Sequence, residues 1–261
     1  RMKNLFRYLL VSICLSSCCS TAFGWGMKGH DIVAAIAANN LKPGVAKKMN
    51  RILDGHTLMY YSSWMDFIRK DEPYQYTATW HYANIDAGET YESMPKNPTG
   101  DVLTALNEII SKLRSGTLSD SMQTLYVKFL IHLVGDIHCP MHTGHLSDLG
   151  ANKISVTWFG KPTNLHAVWD DMLVESAKKW SYTEWVDNID VLDRKRKQQL
   201  ATGTPADWLT ETHAVCEKIY EDTPEDSELS YQYMFDNYPV VEQQLLRAGL
   251  RLADILNSIY K

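Results

Sequence analysis

The sequence predicts a mainly α-helical protein with one small β-hairpin, and three observations support this prediction. Most apolar residues recur at helical spacing, in segments bounded by serine, asparagine, proline or glycine. One short segment, Lys153 to Phe159, alternates polar and apolar residues as a strand does. No repeat, low-complexity linker or change of composition follows Trp25, so we expect residues 25–261 to form a single domain.

The helices follow from apolar spacing and from residues that begin or end helices. We expect an extended segment at Tyr74 to Asp86, leading into Trp80-His81-Tyr82. The expected helices are Gly29 to Asn40, one after Pro43, Tyr61 to Lys70 opened by serine, Asp101 to Arg114, Ser121 to Gly135, one from Asn164, Thr183 to Asp190, Pro205 to Glu221, Tyr231 to Asn237 and Val240 to Tyr260.

Residues 1–24 have the pattern of an export signal. Basic residues precede an apolar stretch, and Ala22-Phe23-Gly24 has the form of a signal-peptidase site. The apolar stretch is too short to span a membrane, so we expect a periplasmic or extracellular protein beginning at Trp25. The alternative is a lipid anchor, because Leu15-Ser-Ser-Cys18 resembles a bacterial lipobox.

Charge and cysteine content limit the function classes. Three of the 26 Lys and Arg residues and none of the 31 Asp and Glu residues precede Trp25, so residues 25–261 carry a net charge of −8. An acidic chain argues against a polyanionic substrate unless several divalent cations lie in the site. Only Cys139 and Cys216 follow residue 24, which allows one disulfide at most.

The segment Leu130 to His145 contains four histidines and one aspartate within fourteen residues. His132 and Asp136 are four apart and therefore project from the same face of a helix. An isolated histidine is more often hydrogen-bonded in a core than bound to a metal. A second pair at the same spacing, His166 and Asp170, instead favours metal binding.

Further candidate metal ligands occur outside these two segments. One zinc ion usually takes four or five ligands, and the candidates are too many for one ion, so we expect several ions that share bridging carboxylates. The candidates are His30, Asp66, His81, His132, Asp136, His142, His166 and Asp170.

Taken together, these motifs resemble the S1/P1 nuclease family of trinuclear zinc enzymes. They are Trp25 five residues before His30, Trp-Met-Asp66-Phe-Ile-Arg69, Trp80-His81-Tyr82, His132-x3-Asp136-x5-His142 and His166-x3-Asp170. The resemblance covers most of the chain after residue 24. It implies a single helical domain of the phospholipase C/P1 nuclease type.

The resemblance also implies three Zn²⁺ ions and their ligands. The first ion would bind Asp66, His81, His132 and Asp136. The second would bind His142, His166 and Asp170. The third would bind Asp136, His30 and Trp25, the last through its free α-amino nitrogen and its carbonyl oxygen. This is why we prefer cleavage before Trp25.

Substrate contacts follow from the same resemblance. Arg69 would contact the scissile phosphate and act in catalysis with Asp66 and Asp136. Tyr82 would stack on a base, and Asn84, Asp86 and Asn152 lie where the family reads base edges or supports catalysis. Here the family's Gly-Gly-Asn is Gly150-Ala151-Asn152.

The implied reaction is zinc-dependent hydrolysis of single-stranded DNA and RNA to 5′-phosphorylated products by a zinc-activated hydroxide, with 3′-nucleotidase activity. We expect a monomer without a protein partner. One alternative is zinc-dependent phospholipase C, but its last carboxylate is glutamate where this chain has Asp170. The other is an exported zinc-binding protein without catalysis, but Arg69 and Tyr82 beside the ligands favour a substrate site.

Two residues of the histidine-rich segment depart from the family pattern. Cys139 and Met141 stand where the family more often has glutamine and leucine. Cys139, three residues after Asp136, could itself approach a zinc ion. The alternative is a thiol packed in the core.

Overall fold

The computed structural model describes residues 25–261, and the export signal expected at 1–24 lies outside the described residues. The helices are α1 (Met27–Asn39), α2 (Pro43–Ile52), α3 (Trp64–Ile68), α4 (Val102–Ser115), α5 (Asp120–Asp136), α6 (Leu165–Ala167), α7 (Leu173–Ser176), α8 (Tyr182–Ile189), α9 (Arg194–Leu200), α10 (Pro205–Asp222) and α11 (Tyr231–Ile259). Short 3₁₀ helices occupy Met59–Tyr61, Glu72–Thr77 and Pro140–Thr143. A π-helix at Val168–Met172 joins α6 to α7.

The core lies where α1, α5 and α11 pack together. Helix α1 is alanine-rich, and its residues Ile32 to Ala37 are buried. A side chain at Gly249 of α11 would place its Cβ only 2.5 Å from the Cβ of Ile36. Glycine therefore allows the close approach of α11 to α1, which fixes the helix that carries His30.

N-cap residues define the start of α5 and α6, the two helices that carry the site. The Ser119 hydroxyl accepts a hydrogen bond from the Met122 amide at the start of α5. The Asn164 side chain accepts from the Ala167 amide at the start of α6. Both His-x-x-x-Asp pairs thus lie on helical segments with a defined beginning.

The expected β-hairpin is confirmed. Strands β1 (Ser155–Trp158) and β2 (Lys161–Asn164) pair antiparallel, with Val156 opposite Thr163. The connection at Phe159 and Gly160 has positive φ at both residues, 50° and 75°, as tight hairpin turns require. A short third strand, β3 (Glu228–Leu229), pairs parallel with β1 and completes the order β2-β1-β3. The mainly α fold class is therefore confirmed.

The helices of the structure differ from the prediction in two places. The segments Tyr231 to Asn237 and Val240 to Tyr260 form one helix, α11, with Pro239 inside it. Proline removes one backbone hydrogen bond, and the buried face from Val241 to Leu256 outweighs this cost. Helix α9 was not predicted, because its sequence Arg-Lys-Arg-Lys-Gln-Gln-Leu has no apolar periodicity.

The segment before His81 also differs from the prediction. Glu72–Thr77 is a 3₁₀ helix followed by a turn, so only the part from Tyr82 to Asp86 is free of helix and turn. Proline at the start of the 3₁₀ helix and the Thr77 hydroxyl, which donates to the Tyr74 carbonyl, stabilise this turn. Ser63 occupies the N-cap position of α3, but its side chain makes no capping hydrogen bond.

Two further features bear on the expectations from sequence. Cys139 and Cys216 are both buried free thiols, so the one disulfide that the sequence allows is not formed. Among residues 25–261, no helix is long and apolar enough to cross a membrane.

Candidate metal centre

Asp136, the last residue of α5, lies at the centre of a buried group of histidines. Its Oδ2 is 2.9 Å from Nδ1 of His81 and 3.1 Å from Nε2 of His132. Its Oδ1 is 3.4 Å from Nε2 of His30 and 3.7 Å from Nδ1 of His142. One carboxylate therefore contacts histidines from four separate segments of the chain.

Asp66 of α3 belongs to the same buried group. Its Oδ1 lies 3.7 Å from Nε2 of His132 and 3.8 Å from Nδ1 of His81. The rings of His30 and His132 stack with their centroids 4.0 Å apart. Potential ligand atoms converge in two overlapping sets, His30 with Asp66 and His132, and His81 with His132 and Asp136.

A second group surrounds Asp170 in the π-helix. Its Oδ2 is 3.6 Å from Nε2 of His166, and its Oδ1 is 3.8 Å from Nε2 of His142. The Cys139 sulfur lies 3.6 Å from the same Oδ1. Cys139, His142 and Asp170 form a third set of convergent ligand atoms, all within 4.8 Å of one another.

The segment at Trp25 lies against both groups. The Gly26 amide donates a 2.7 Å hydrogen bond to the Asp170 carbonyl, and the Trp25 side chain is fully buried. A Cβ at Gly29 would lie 2.7 Å from the Cβ of Trp25. The start of the described chain is therefore held beside the two His-x-x-x-Asp pairs.

Backbone carbonyls fix the orientation of three histidine rings. The Nδ1 atoms of these rings lie 2.6 to 2.7 Å from carbonyl oxygens, His132 from Ser62, His142 from His81 and His166 from Gly150. A ring that donates from Nδ1 presents the Nε2 lone pair on its other side. This is the arrangement found around metal-binding histidines, in which an outer hydrogen bond sets the tautomer.

Several buried polar atoms of the group lack a hydrogen-bond partner among the described residues. They include Asp66 Oδ1, Asp136 Oδ1, His81 Nε2 and both ring nitrogens of His30. Leaving such atoms unsatisfied is costly, and a cation would satisfy the carboxylate oxygens and one nitrogen of each ring. The donor set of imidazoles and carboxylates is one that zinc prefers, so these residues fit the metal centre expected from sequence.

The protonation of the two aspartates differs. Burial opposes ionisation of Asp136, but the charge of His132 and the neighbouring rings of His30 and His81 outweigh burial and hold its pKa well below the usual range. Burial raises the pKa of Asp170 to about 7, and the neighbouring ring of His166 only partly offsets the rise.

The histidines around Asp136 respond to the same charges. Burial disfavours protonation of His132, but the carboxylates of Asp136 and Asp66 outweigh burial and raise its pKa to about 9. Burial, followed by the charge on His132, lowers the pKa of His30. The group therefore holds protons that a cation would displace.

Arg69 and Tyr82 lie next to ligand residues in the chain. Arg69 directly follows α3, one turn after Asp66, and is partly exposed. Tyr82 follows His81 and is also partly exposed, while its backbone carbonyl accepts from the Val102 amide. Both side chains are thus accessible beside a buried centre.

The other expected substrate residues make loop contacts. Asn84 donates to the Gly144 carbonyl at 2.9 Å, and Asp86 Oδ1 accepts from both the amide and the hydroxyl of Ser147 at 3.0 Å. Asn152 donates to the Leu149 carbonyl at 2.8 Å. These three residues therefore shape the loops that follow His81 and His142.

Sequence reasoning did not find the network behind the histidine-rich segment. The buried guanidinium of Arg251 donates to Nε2 of His138 at 2.9 Å and also pairs with Glu211. Burial, followed by the charge of Arg251, lowers the pKa of His138 to about 3. His138 is therefore a neutral core residue, and nothing in the local sequence near His138 indicates a partner 113 positions away.

Comparison with known proteins decides the family. The model of the family described as S1/P1 Nuclease matches residues 25–261. The chain belongs to the S1/P1 nuclease family. It is 31% identical to Endonuclease 3 of Arabidopsis thaliana, over 98% of this chain and 96% of that protein. Nuclease S1 of Aspergillus oryzae is 27% identical, over 97% and 98% of the two chains.

A third relative is Nuclease P1 of Penicillium citrinum, 25% identical over 90% of this chain and 98% of that protein. The similarity to these S1/P1 nucleases covers the segments that carry every histidine and aspartate of the candidate centre. The protein is accordingly a nuclease, which decides against a phospholipase and against a zinc-binding protein without catalysis.

Proposed function

We propose that this S1/P1 nuclease is an exported, zinc-dependent enzyme that hydrolyses single-stranded DNA and RNA to 5′-phosphorylated products and also acts as a 3′-nucleotidase. The observation that carries the proposal is the buried carboxylate of Asp136, whose two oxygens lie within 3.7 Å of four histidines. A carboxylate so placed is suited to bridge two cations.

Three zinc ions account for the donor atoms. Asp66, His81, His132 and Asp136 would hold the first ion, and a nitrogen of each histidine lies within 3.8 Å of both carboxylates. His142, His166 and Asp170 would hold the second. Trp25, His30 and Asp136 would hold the third, with Asp136 shared.

When bound, the zinc ions supply an acidified water and positive charge at the phosphate and at the departing 3′-oxygen. The residues of the chain bind the phosphate and hold the histidine rings. Arg69 would donate two hydrogen bonds to the non-bridging oxygens of the scissile phosphate. The carbonyls of Ser62, His81 and Gly150 keep the histidine rings in position while the substrate binds.

The preference for single strands would come from Tyr82. A paired and stacked base presents no free face, whereas an unpaired base can stack on an exposed aromatic ring. Asn84, Asp86 and Asn152 would position the loops that surround this base or contact its edges. Cleavage before Trp25 would free the α-amine that the third zinc requires, and the active enzyme would be a monomer without a protein partner.

The proposal is tested with purified exported protein. Single-stranded DNA, double-stranded DNA, RNA, a 3′-mononucleotide and phosphatidylcholine are incubated with the protein, before and after treatment with a chelator. We expect hydrolysis of the single-stranded substrates and the 3′-mononucleotide, loss of activity after chelation, and recovery with Zn²⁺. Full activity after complete removal of metal, or equal cleavage of single and double strands, would contradict the proposal.

Intact-mass analysis of the same sample reads out the N-terminus. A chain beginning at Trp25 supports the third site as described. A lipidated chain beginning at Cys18 would exclude the α-amine of Trp25 as a ligand.

A further inference from the structure

Cys139 occupies the turn that connects the two groups of ligands. Its amide donates to the Asp136 carbonyl at 2.9 Å, and its carbonyl accepts from the His142 amide at 3.0 Å. This tight turn directs the fully buried thiol toward Asp170. The turn itself is held by backbone hydrogen bonds to two expected ligands, Asp136 and His142, so the position of the thiol is tied to theirs.

The separation of the thiol from Asp170 matches that of two ligands on one ion. Sγ of Cys139 lies 3.6 Å from Oδ1 of Asp170. With ordinary Zn–S and Zn–O bond lengths, two such donors on a tetrahedral zinc ion lie roughly 3.5 Å apart. The same Oδ1 is 3.8 Å from Nε2 of His142, so three different donor types converge at this position.

A second observation concerns the histidine of this set. Nδ1 of His142 lies 2.6 Å from the carbonyl oxygen of His81, which leaves Nε2 facing Oδ1 of Asp170 at 3.8 Å. An outer hydrogen bond of this kind orients metal-binding histidines. By contrast, Cys216 is equally buried but belongs to none of the convergent donor sets among residues 25–261. Burial alone therefore does not distinguish the two thiols, whereas their surroundings do.

We propose that the sulfur of Cys139 is a direct ligand of the metal ion held by His142 and Asp170. This inference rests on the proposed metal centre and goes beyond it, because it adds a thiolate to a site otherwise composed of imidazole and carboxylate. A thiolate favours zinc and other thiophilic cations over magnesium and manganese. With His166 it gives four protein ligands, as many as the first ion would take from the residues around Asp66.

The test replaces zinc by cobalt, whose spectrum reports its ligands. The wild-type protein is stripped with a chelator and reloaded with Co²⁺, and Cys139→Ser, Cys139→Gln and Cys216→Ser are treated identically. Cys216→Ser is the matched control, since it makes the same change at the other buried thiol. Visible ligand-field bands report bound cobalt, and a near-ultraviolet charge-transfer band reports a sulfur ligand.

We expect the charge-transfer band in the wild type and in Cys216→Ser, and its absence from Cys139→Ser and Cys139→Gln, in which the ligand-field bands persist. One zinc equivalent should be removed at a roughly 10- to 100-fold lower chelator concentration in Cys139→Ser than in Cys216→Ser. Should Cys139→Ser fail to fold, Cys139→Gln, with the residue common in the family, gives the same comparison.

The outcomes separate this inference from the proposed function. Bound cobalt and nuclease activity without a charge-transfer band in the wild type would overturn the Cys139 ligand and leave the metal centre intact. A band that persists in both Cys139 variants would overturn it as well. Failure of the wild type to bind any Co²⁺ or Zn²⁺ would overturn both the inference and the proposed function.

Discussion

The two His-x-x-x-Asp pairs share a spacing but differ in their surroundings. Asp136 ends a regular helix and lies 3.1 Å from His132, whereas Asp170 lies in a π-helix, 3.6 Å from His166. Asp136 is surrounded by histidines and its pKa lies well below the usual range, while burial raises that of Asp170 to about 7. The same motif thus gives one ionised central carboxylate and one peripheral carboxyl group.

The largest expected effect comes from Asp136→Asn, with Asp170→Asn as its matched partner. Loss of the shared carboxylate should remove two metal equivalents and lower kcat by ~10³-fold or more, since a metal supplies several kcal/mol of charge stabilisation. Asp170→Asn should remove only one equivalent. Metal content by mass spectrometry and single-turnover kinetics measure both, and equal metal losses would remove the distinction between the pairs.

Arg69→Lys tests whether the substrate phosphate is bound beside the pair formed by His132 and Asp136. Lysine keeps the charge but loses the bidentate fork, so we expect kcat to fall by about 10²-fold while metal content stays unchanged. The control is Arg51→Lys on the exposed face of α2, which should behave as wild type. Loss of metal in Arg69→Lys would mean that Arg69 supports the centre rather than the phosphate.

Two glycines allow each pair to be perturbed separately. A Cβ at Gly135 would lie 2.8 Å from Nδ1 of His30, on the Asp136 side. Gly150 has φ +65°, and a Cβ there would lie 2.6 Å from the Met141 carbonyl and 3.6 Å from Nδ1 of His166. Because His30 must move, Gly135→Ala should weaken one metal site by about 10- to 100-fold.

Gly150→Ala should instead affect the metal held by His166 and should also destabilise the fold through its backbone. Calorimetric metal titration and thermal unfolding of both variants measure these effects. If both variants weakened the same metal site, the assignment of each glycine to one pair would be contradicted.

The smallest expected effect is the release of protons when zinc binds. In the metal-free protein at pH 7, His132 with a pKa of about 9 is protonated, and Asp170 with a pKa of about 7 is about half protonated. Metal binding requires both groups deprotonated, so zinc uptake should release protons at pH 7. The release should fall as the pH rises through about 9, because His132 then binds no proton in either state.

Calorimetry of zinc binding in buffers of different ionisation enthalpy measures this release. The contribution of His132 should be absent in Asp136→Asn, because the carboxylate that chiefly raises its pKa is then neutral. Proton release that rises between pH 7 and pH 9 would contradict the assigned protonation states.

Residue spacing predicted part of the site directly. His132 with Asp136 and His166 with Asp170 follow from helical geometry, and the structure brings each pair together. The distant residues His30, Asp66 and His81 were candidates by residue type, but only the family resemblance assigned them to particular ions. Nothing local indicates that α1, α3 and the segment after Thr77 meet at the end of α5. The carbonyls of Ser62, His81 and Gly150 could not be predicted, since every residue has one.

The fold, like the site, was predicted only in part. Helices with apolar periodicity and the β-hairpin were predicted, whereas α9, rich in charge, and the continuity of α11 through Pro239 were not. The continuity of α11 depends on the packing of its buried face, whereas α9 has no buried residue and begins at an Asp193 N-cap without apolar spacing. The π-helix that displaces Asp170 from the geometry of Asp136 is likewise invisible in the residue spacing.

The proposed metal centre requires the buried carboxylate of Asp136 to bridge two of three zinc ions. A crystal structure of the exported protein, with anomalous scattering recorded at the zinc edge, tests this requirement. We expect three anomalous peaks, two of them bridged by Asp136 and the third at Asp170. A single peak, or peaks that do not contact Asp136, would contradict it.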